Sequence, residues 1–328
     1  MSSVVVSTGG RLHFGFLNLS LAHERLYGGI GLALATPQTQ LVCHRASCIS
    51  IDGTPDSGAI REYAKRSCEL LGVEGVSIQL KEQLPAHQGL GSGTQLALSV
   101  LQGVASVYSR SPSLRALAPE LGRGGRSGIG VATFERGGFT IDAGHPTSRF
   151  TTSRPSDGEW TVPAITVHHQ IPSSWRFVLV IPQAEPGRSG EAEEQSMRDV
   201  IEHADAEIAN KIAGVVSRRL LPAIADSNLE RFGSAITEIG RLNGTWYTNE
   251  QGGVYRPPAG EVISHLQDSA ACFGTGQSSW GPTVYTITNS EHLQTTKEAA
   301  REAVQLSGTD ATILTVSGRN AGARVDSR

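Results

Sequence analysis

The stretch from Leu84 to Tyr108 sets the tightest limit on what this chain can fold into. It opens Leu-Pro-Ala-His-Gln-Gly-Leu-Gly-Ser-Gly-Thr-Gln, and an apolar-rich helix is expected from Gln95 to Tyr108. Gly89, Gly91 and Gly93 clear side chains from a turn where backbone N–H groups can face a ligand, and Ser92 and Thr94 add hydroxyls. The helix contributes N–H groups without intrahelical partners and the positive end of its dipole. Residues Gly89, Leu90, Gly91, Ser92, Gly93 and Thr94 therefore form a candidate cradle for phosphate or diphosphate; a plain tight turn is the alternative. Two familiar loops are excluded. A P-loop ends Gly-Lys-Ser/Thr, whereas Gly93 is followed by Thr94 and Gln95. A dinucleotide fingerprint starts directly after a strand, whereas Lys81 to Gln88 separate these glycines from the alternating run Val76, Ile78, Leu80.

The remaining composition points to a small ligand. The chain has 328 residues, enough for two domains, with 28 basic and 31 acidic residues and a net charge of -3. The charges are interspersed, so neither a nucleic-acid track nor a polybasic membrane patch is expected. No apolar run approaches a membrane span, and the first residues lack the pattern of a secretory signal. Cys43, Cys48, Cys68 and Cys272 show no Cys-x-x-Cys spacing, which suits reduced thiols and a cytoplasmic location.

In chain order, Val4 to Ser7 reads as a strand, and a second extended segment places Arg11 and His13 on one face, either to meet an anion or as a solvated strand end. Glycines 28, 29 and 31 lead into an apolar strand, as a substrate-facing turn or for close packing. Leu41 to Ile51 is weakly strand-like, and Ala59 to Leu71 is a helix with Ile60, Tyr63, Ala64, Ser67, Leu70 and Leu71 on its inner face. Leu96, Val100, Val104 and Val107 give the buried stripe of the helix after the cradle. Arg123 and Arg126 lie in a glycine-rich loop and are candidate anion contacts, with surface arginines as the alternative. A hairpin is predicted next, with Val131 to Phe134 and Phe139 to Asp142 as strands around Glu135-Arg-Gly-Gly. His168 and His169 are adjacent, so on a strand they point to opposite faces and do not suggest a metal site. A domain boundary is expected between residues 145 and 175.

The second half opens with a buried strand at Phe177 to Pro182. Gly187-Arg-Ser-Gly-Glu reads as a loop into a helix whose Glu191, Glu193 and Glu194 form a solvated acidic first turn, with a metal site as the alternative. Asp226 or Ser227 is expected to cap a helix with Leu229, Phe232, Ile236 and Ile239 inward. The end reads helix (Gly260 to Ala271), glycine loop (Phe273 to Pro282), strand (Thr283 to Thr288), helix (Glu291 to Gln305), strand (Thr312 to Val316). Within that loop Gly276, Gln277, Ser278 and Ser279 offer donors, and Trp280 offers either an aromatic ligand surface or an anchor for the turn.

Together these segments resemble the GHMP kinase superfamily of galactokinase, homoserine kinase, mevalonate kinase and phosphomevalonate kinase. The matching parts are Pro85 to Thr94, Ser127-Gly-Ile-Gly before Gly137-Gly138, and Gly274 to Gly281. Many of those kinases have an aspartate where this chain has Gly130, and glycine can neither accept a proton nor orient a hydroxyl. One branch is closer, the beta-ribofuranosylaminobenzene 5'-phosphate (beta-RFAP) synthases of methanopterin biosynthesis. That resemblance rests on Gly10-Arg-Leu-His-Phe-Gly, Tyr27-Gly-Gly-Ile-Gly-Leu, Leu84 to Gln95, Arg126-Ser-Gly-Ile-Gly, Gly137-Gly-Phe with Asp142, Gly187-Arg-Ser-Gly-Glu and Gly276-Gln-Ser-Ser-Trp-Gly-Pro-Thr.

The resemblance implies an α+β, GHMP kinase-like two-domain fold. A ribosomal-protein-like α/β domain would occupy residues 1–170 and a ferredoxin-like α/β sandwich residues 171–328. It also implies a homodimer that condenses phosphoribosyl pyrophosphate with 4-hydroxybenzoate or 4-aminobenzoate, with magnesium as cofactor, releasing carbon dioxide and pyrophosphate. Arg126, Asp142 and His13 are then the expected catalytic residues. The cradle with Arg11 and Ser127 would bind phosphate groups, and Gly276 to Trp280 would bind substrate; the metal ligands stay unassigned. An ATP-dependent small-molecule kinase and a non-catalytic binding protein on the same fold are the rival readings.

Overall fold

The computed structural model describes residues 3–54, 57–183 and 191–327. The first half is built on one long bent hairpin. β1 (Ser3–Asn18) pairs antiparallel with β2 (Arg25–Ala46) along nearly its whole length, with register shifts at Gly9/Arg11 and His13/Gly15. The two expected N-terminal extended segments are thus one strand. β3 (Ser50–Asp52), helix α1 (Gly58–Leu71) and β4 (Gly75–Glu82) follow, and β4 pairs with the far half of β2. The helix after the cradle, α2 (Ser92–Val107), starts three residues earlier than predicted, so Ser92, Gly93 and Thr94 form its first turn. The Gly91 carbonyl accepts the Thr94 and Gln95 N–H groups and closes that turn. α1 and α2 bury Ile60, Ala64, Val100 and Val104 against Val4, Leu41 and Ile78 of the sheet, while Leu70, expected inside, is exposed.

After the short α3 (Leu114–Leu117), the predicted hairpin fails. Val131 to Phe134 lie in a helix, α4 (Ile129–Glu135), which ends as Gly137 and Gly138 take positive φ values. Ile129 and the consecutive residues Val131 to Phe134 are all buried, so no helical alternation of apolar and polar residues marks this segment. Phe139 to Asp142 do form a strand, β5 (Phe139–Asp142), paired with the near half of β2. β6 (His145–Pro146) and β7 (Ile165–His169) complete this side of the sheet.

The second half is a four-stranded antiparallel sheet in the order β11-β8-β10-β9, from β8 (Trp175–Pro182), β9 (Gly274–Gln277), β10 (Val284–Asn289) and β11 (Ala311–Ser317). Four residues of the expected glycine loop are therefore strand. Helices α5 (Glu191–His203), α6 (Ala206–Val215), α7 (Leu221–Ala225), α8 (Leu229–Gln251) and α9 (Ala259–Gln267) connect β8 to β9, and α10 (Leu293–Leu306) connects β10 to β11. This order is the ferredoxin-like double βαβ arrangement. Alternation along β8 sends Val178 and Val180 to α9 and α10, and Phe177 and Leu179 to the core under α8. Asn228, one or two residues beyond the predicted cap, accepts the Arg231 N–H and starts α8. The loop predicted at Gly187-Arg-Ser-Gly lies outside the described residues.

Several contacts join the halves. Asn243 of α8 accepts the Phe16 N–H and donates to the Phe16 carbonyl, and Gly15 leaves the room this needs. The final strand, β12 (Arg324–Ser327), returns to pair with β1. Among the described residues no helix is long and apolar enough to cross a membrane.

Candidate functional site

A cleft of about 780 Å³ runs between the halves, within the range of small-molecule sites. Its walls include the cradle glycines 89, 91 and 93 with Ser92 and Thr94, Arg11 and His13 of β1, the loop from Gly122 to Ser127, and Ser279 to Gly281.

The cradle has the open backbone that its sequence suggests. Gly89 and Gly91 both have φ of +79°, a conformation that disfavours side chains. A Cβ on Gly89 would lie 2.1 Å from the Ser278 carbonyl oxygen, and one on Gly281 would lie 2.2 Å from the Gly89 nitrogen. The two glycine loops thus meet backbone to backbone, and Ser278 Oγ donates to the Gly89 carbonyl at 2.7 Å. The Arg11 guanidinium also bonds the Gly89 carbonyl, and its stem lies against Gly91. Gly93 leaves space for the Arg123 guanidinium, which bonds the Tyr63 hydroxyl and lies over its ring. Two arginines therefore flank the start of α2, a setting that favours a multiply charged anion.

Behind the cleft lies a relay of three side chains. Asp142 is fully buried and accepts the Gly128 N–H at 2.7 Å, the Gly144 N–H at 2.8 Å, the Gly29 N–H and the Ser127 hydroxyl at 3.2 Å. Burial raises its pKa, and those donors oppose the rise. Ser127 Oγ stands 3.1 Å from His13 Nε2. Since the single serine proton is directed to Asp142, His13 Nε2 must be the donor in that contact. Burial, and then Arg11, hold the His13 pKa well below the usual imidazole value, so His13 is neutral at neutral pH. Asp142 sits behind Ser127 and reaches the cleft only through Ser127 and His13. Gly29 is what lets the relay form, because a Cβ there would fall 2.1 Å from Ser127 Oγ. Of the two readings of glycines 28, 29 and 31, close packing is the one seen at this position.

The second loop divides. Ser279 and Trp280 face the cleft, whereas Ser278 is buried and accepts the His13 backbone N–H. Gln277 accepts the Arg256 N–H and donates to the Ser279 carbonyl, and Gly276 packs on Tyr285. Leu90 is buried beneath the cradle, where its carbonyl accepts the Arg11 N–H. Trp280 stands edge-on to Tyr247 at 4.7 Å and separates the cleft from a smaller cavity of about 40 Å³ lined by Phe14, Phe16, Tyr247 and Tyr255.

Gly130 occupies the first turn of α4, facing the start of α2. A Cβ at this position would lie 2.9 Å from Thr94 Cγ2, so an aspartate would collide with the cradle. Gln95 holds the two helices together, donating to the Gly130 carbonyl at 2.8 Å and accepting the Thr8 hydroxyl at 2.7 Å. Arg319 in turn bonds Thr8 and the Thr133 carbonyl.

Glu194 and Arg154 line the cleft although no sequence motif marks them. Glu194 is not a solvated first-turn acid: its Oε1 lies 2.6 Å from Arg126 and 2.8 Å from Arg154. Arg154 belongs to a stretch in which no motif was visible, and only the fold brings it to the cleft.

Comparison with known proteins then settles the family. The GHMP kinases N terminal domain matches residues 58–138. The homoserine kinase of Cytophaga hutchinsonii superposes with a TM-score of 0.64 at 16% identity, covering 99% of this chain and 97% of that one. The beta-ribofuranosylphenol 5'-phosphate synthase of Archaeoglobus fulgidus is 30% identical, over 97% of this chain and 98% of its own. The chain belongs to the beta-ribofuranosylphenol 5'-phosphate synthase family. The synthase of the same name from Methanothermobacter thermautotrophicus is 29% identical over 98% of both chains. Family membership makes the chain an enzyme on a GHMP kinase-like α+β fold, as its motifs suggested.

Proposed function

We propose that this enzyme condenses phosphoribosyl pyrophosphate with 4-hydroxybenzoate or 4-aminobenzoate, releasing pyrophosphate and carbon dioxide and forming a C-riboside 5'-phosphate for methanopterin-type cofactors. The name of the relatives, a ribofuranosylphenol synthase, favours 4-hydroxybenzoate. The observation that carries the reading is the cleft's imbalance. Arg11, Arg123, Arg126, Arg154 and the α2 N-terminus surround it, while the one carboxylate lining it among the described residues, Glu194, is held by two arginines. Such a site suits leaving-group stabilisation, and its one lining carboxylate among the described residues is engaged by arginines rather than placed to deprotonate an alcohol.

In the proposed reaction the C1–oxygen bond of the ribose breaks and its electron pair leaves with pyrophosphate, received by the cradle with Arg11 and Arg123. The ring carbon bearing the carboxylate forms the new bond to C1. The para hydroxyl or amino group donates electrons to that carbon and spreads the resulting charge. Loss of carbon dioxide returns the carbon–carbon bonding pair to the ring, so no side chain has to remove a ring proton. The neutral His13, fixed through Ser127 and Asp142, gives the ribose a polar but uncharged neighbour. Trp280, beside the aromatic-lined cavity, supplies a face for the arene.

Among the described residues no three His, Cys, Asp or Glu side chains gather to hold a metal. These residues do not fit a protein-built magnesium cage; magnesium belongs to this reading as a counter-ion carried by the diphosphate. The test is mass spectrometry of products from phosphoribosyl pyrophosphate, magnesium and each benzoate, beside a parallel ATP reaction. A decarboxylated riboside phosphate without ATP is expected. ADP formation with an alcohol acceptor, and no riboside, would move the enzyme to the kinases.

A further inference from the structure

The ion-pair cluster opposite the cradle is more organised than a chance surface contact. Arg154 lies over the ring of Trp160 at 4.9 Å, and Trp160 is itself buried and donates its indole N–H to the Arg123 carbonyl. Gly125 leaves the clearance this needs, since a Cβ there would fall 2.7 Å from an Arg154 nitrogen and 3.0 Å from the Trp160 ring. Arg126, next in the chain, is only 15% exposed at its side chain. Both guanidinium groups converge on one oxygen of Glu194, which α5 brings from the other half of the molecule, and all three residues line the cleft.

Glu194 brings a single negative charge to the point where the two guanidinium groups meet, with Asp157 a longer contact at 3.9 Å from Arg154, whereas a phosphomonoester carries roughly -1.5 to -2 at neutral pH and offers three acceptor oxygens. Arginine pairs recognise phosphate through paired N–H donors, and a carboxylate presents the same planar edge with less charge. Burial opposes ionisation of Glu194, but the two arginines outweigh it and hold its pKa below the usual carboxylate value, so its charge is in place at neutral pH.

We propose that Arg126 and Arg154 form a second anion site in the cleft, built for a phosphomonoester, and that Glu194 occupies it as an internal substitute which the incoming phosphate displaces. Only the naming of that ligand as the 5'-phosphate of the ribosyl donor rests on the proposed function. Diphosphate at the cradle and monoester at the arginine pair would then fix both ends of one donor molecule, leaving its ribose between them. Exchange at Glu194 would also tie α5 to the presence of the donor.

The test is calorimetric binding of ribose 5-phosphate to the full chain, with inorganic diphosphate as a probe of the cradle. Glu194→Gln keeps the shape and removes the competing charge; it should tighten ribose 5-phosphate binding about fivefold or more. Arg154→Gln should weaken it at least tenfold. Neither variant should change diphosphate binding by more than about twofold. Unchanged or weakened ribose 5-phosphate binding in Glu194→Gln, or no binding by either wild type or this variant, would overturn the proposal. If the wild type makes no riboside but shows the predicted pattern, the synthase reading falls and the phosphomonoester site stands.

Discussion

Replacing Gly29 by alanine puts the strongest demand on the relay behind the cleft. The new methyl would lie 2.1 Å from Ser127 Oγ, 2.8 Å from Asp142 Oδ2 and 2.8 Å from Ile129 Cγ1. Asp142 and Ile129 are fully buried, so neither can swing aside into solvent. Alanine in a strand interior ordinarily gains roughly 0.5–1 kcal/mol over glycine. Overpacking costs about 1–3 kcal/mol, and displacing Ser127 leaves a buried carboxylate short of a donor for roughly another 1–3 kcal/mol. The net expectation is a loss of about 1–5.5 kcal/mol, by combining these terms. Urea unfolding at pH 7, followed by tryptophan fluorescence, measures it. Ser127→Ala in the same background removes the colliding oxygen, so the double variant should be more stable than the summed single effects by about 1 kcal/mol or more. Wild-type stability in Gly29→Ala, or strict additivity in the cycle, would refute this account of the relay.

Three further outcomes follow from other positions. Gly130→Asp should not create a kinase, because its Cβ would meet Thr94 at 2.9 Å; riboside synthesis should fall at least tenfold with no ADP formed, and ATP turnover would contradict the packing argument. His145 is buried against Phe150 with its pKa lowered to about 4, chiefly by burial, so the unfolded chain binds the proton first as pH falls below 6.5. Its contribution is present at neutral pH and lost between about 6.5 and 4, worth about 3 kcal/mol; denaturation at both ends of that window should show a shallower loss in His145→Gln than in wild type. Trp280→Ala should raise KM for the benzoate at least fivefold and leave that for phosphoribosyl pyrophosphate within twofold; the reverse pattern would place the arene elsewhere.

Much of the cleft could be read from the sequence because its signals are local. The cradle glycines, Arg11 with His13, and Arg123 with Arg126 each lie within a few residues of one another, and each group lines the cleft. Local spacing misled where consecutive residues are buried: Val131 to Phe134 of α4 are all covered, so the segment reads as a strand until α2 and the sheet are seen around it. Pairings across long separations left no trace. Glu194 meets Arg126 and Arg154 only because α5 folds back over the first half, and Arg319 reaches Thr8 only because the chain end returns to β1. The Asp142–Ser127–His13 relay falls between these cases. All three residues were visible as candidates, but their order depends on Gly29, whose importance lies in the side chain it lacks.

The proposed reaction forms a carbon–carbon bond as pyrophosphate and carbon dioxide leave, in a cleft whose one lining carboxylate among the described residues is held by two arginines. Its most direct test is the stoichiometry of the reaction with carboxyl-labelled 4-hydroxybenzoate and phosphoribosyl pyrophosphate in the absence of ATP. The account predicts one labelled carbon dioxide for each pyrophosphate released, and a riboside phosphate that retains every ring proton. Pyrophosphate release without labelled carbon dioxide, or an activity that requires ATP, would contradict it.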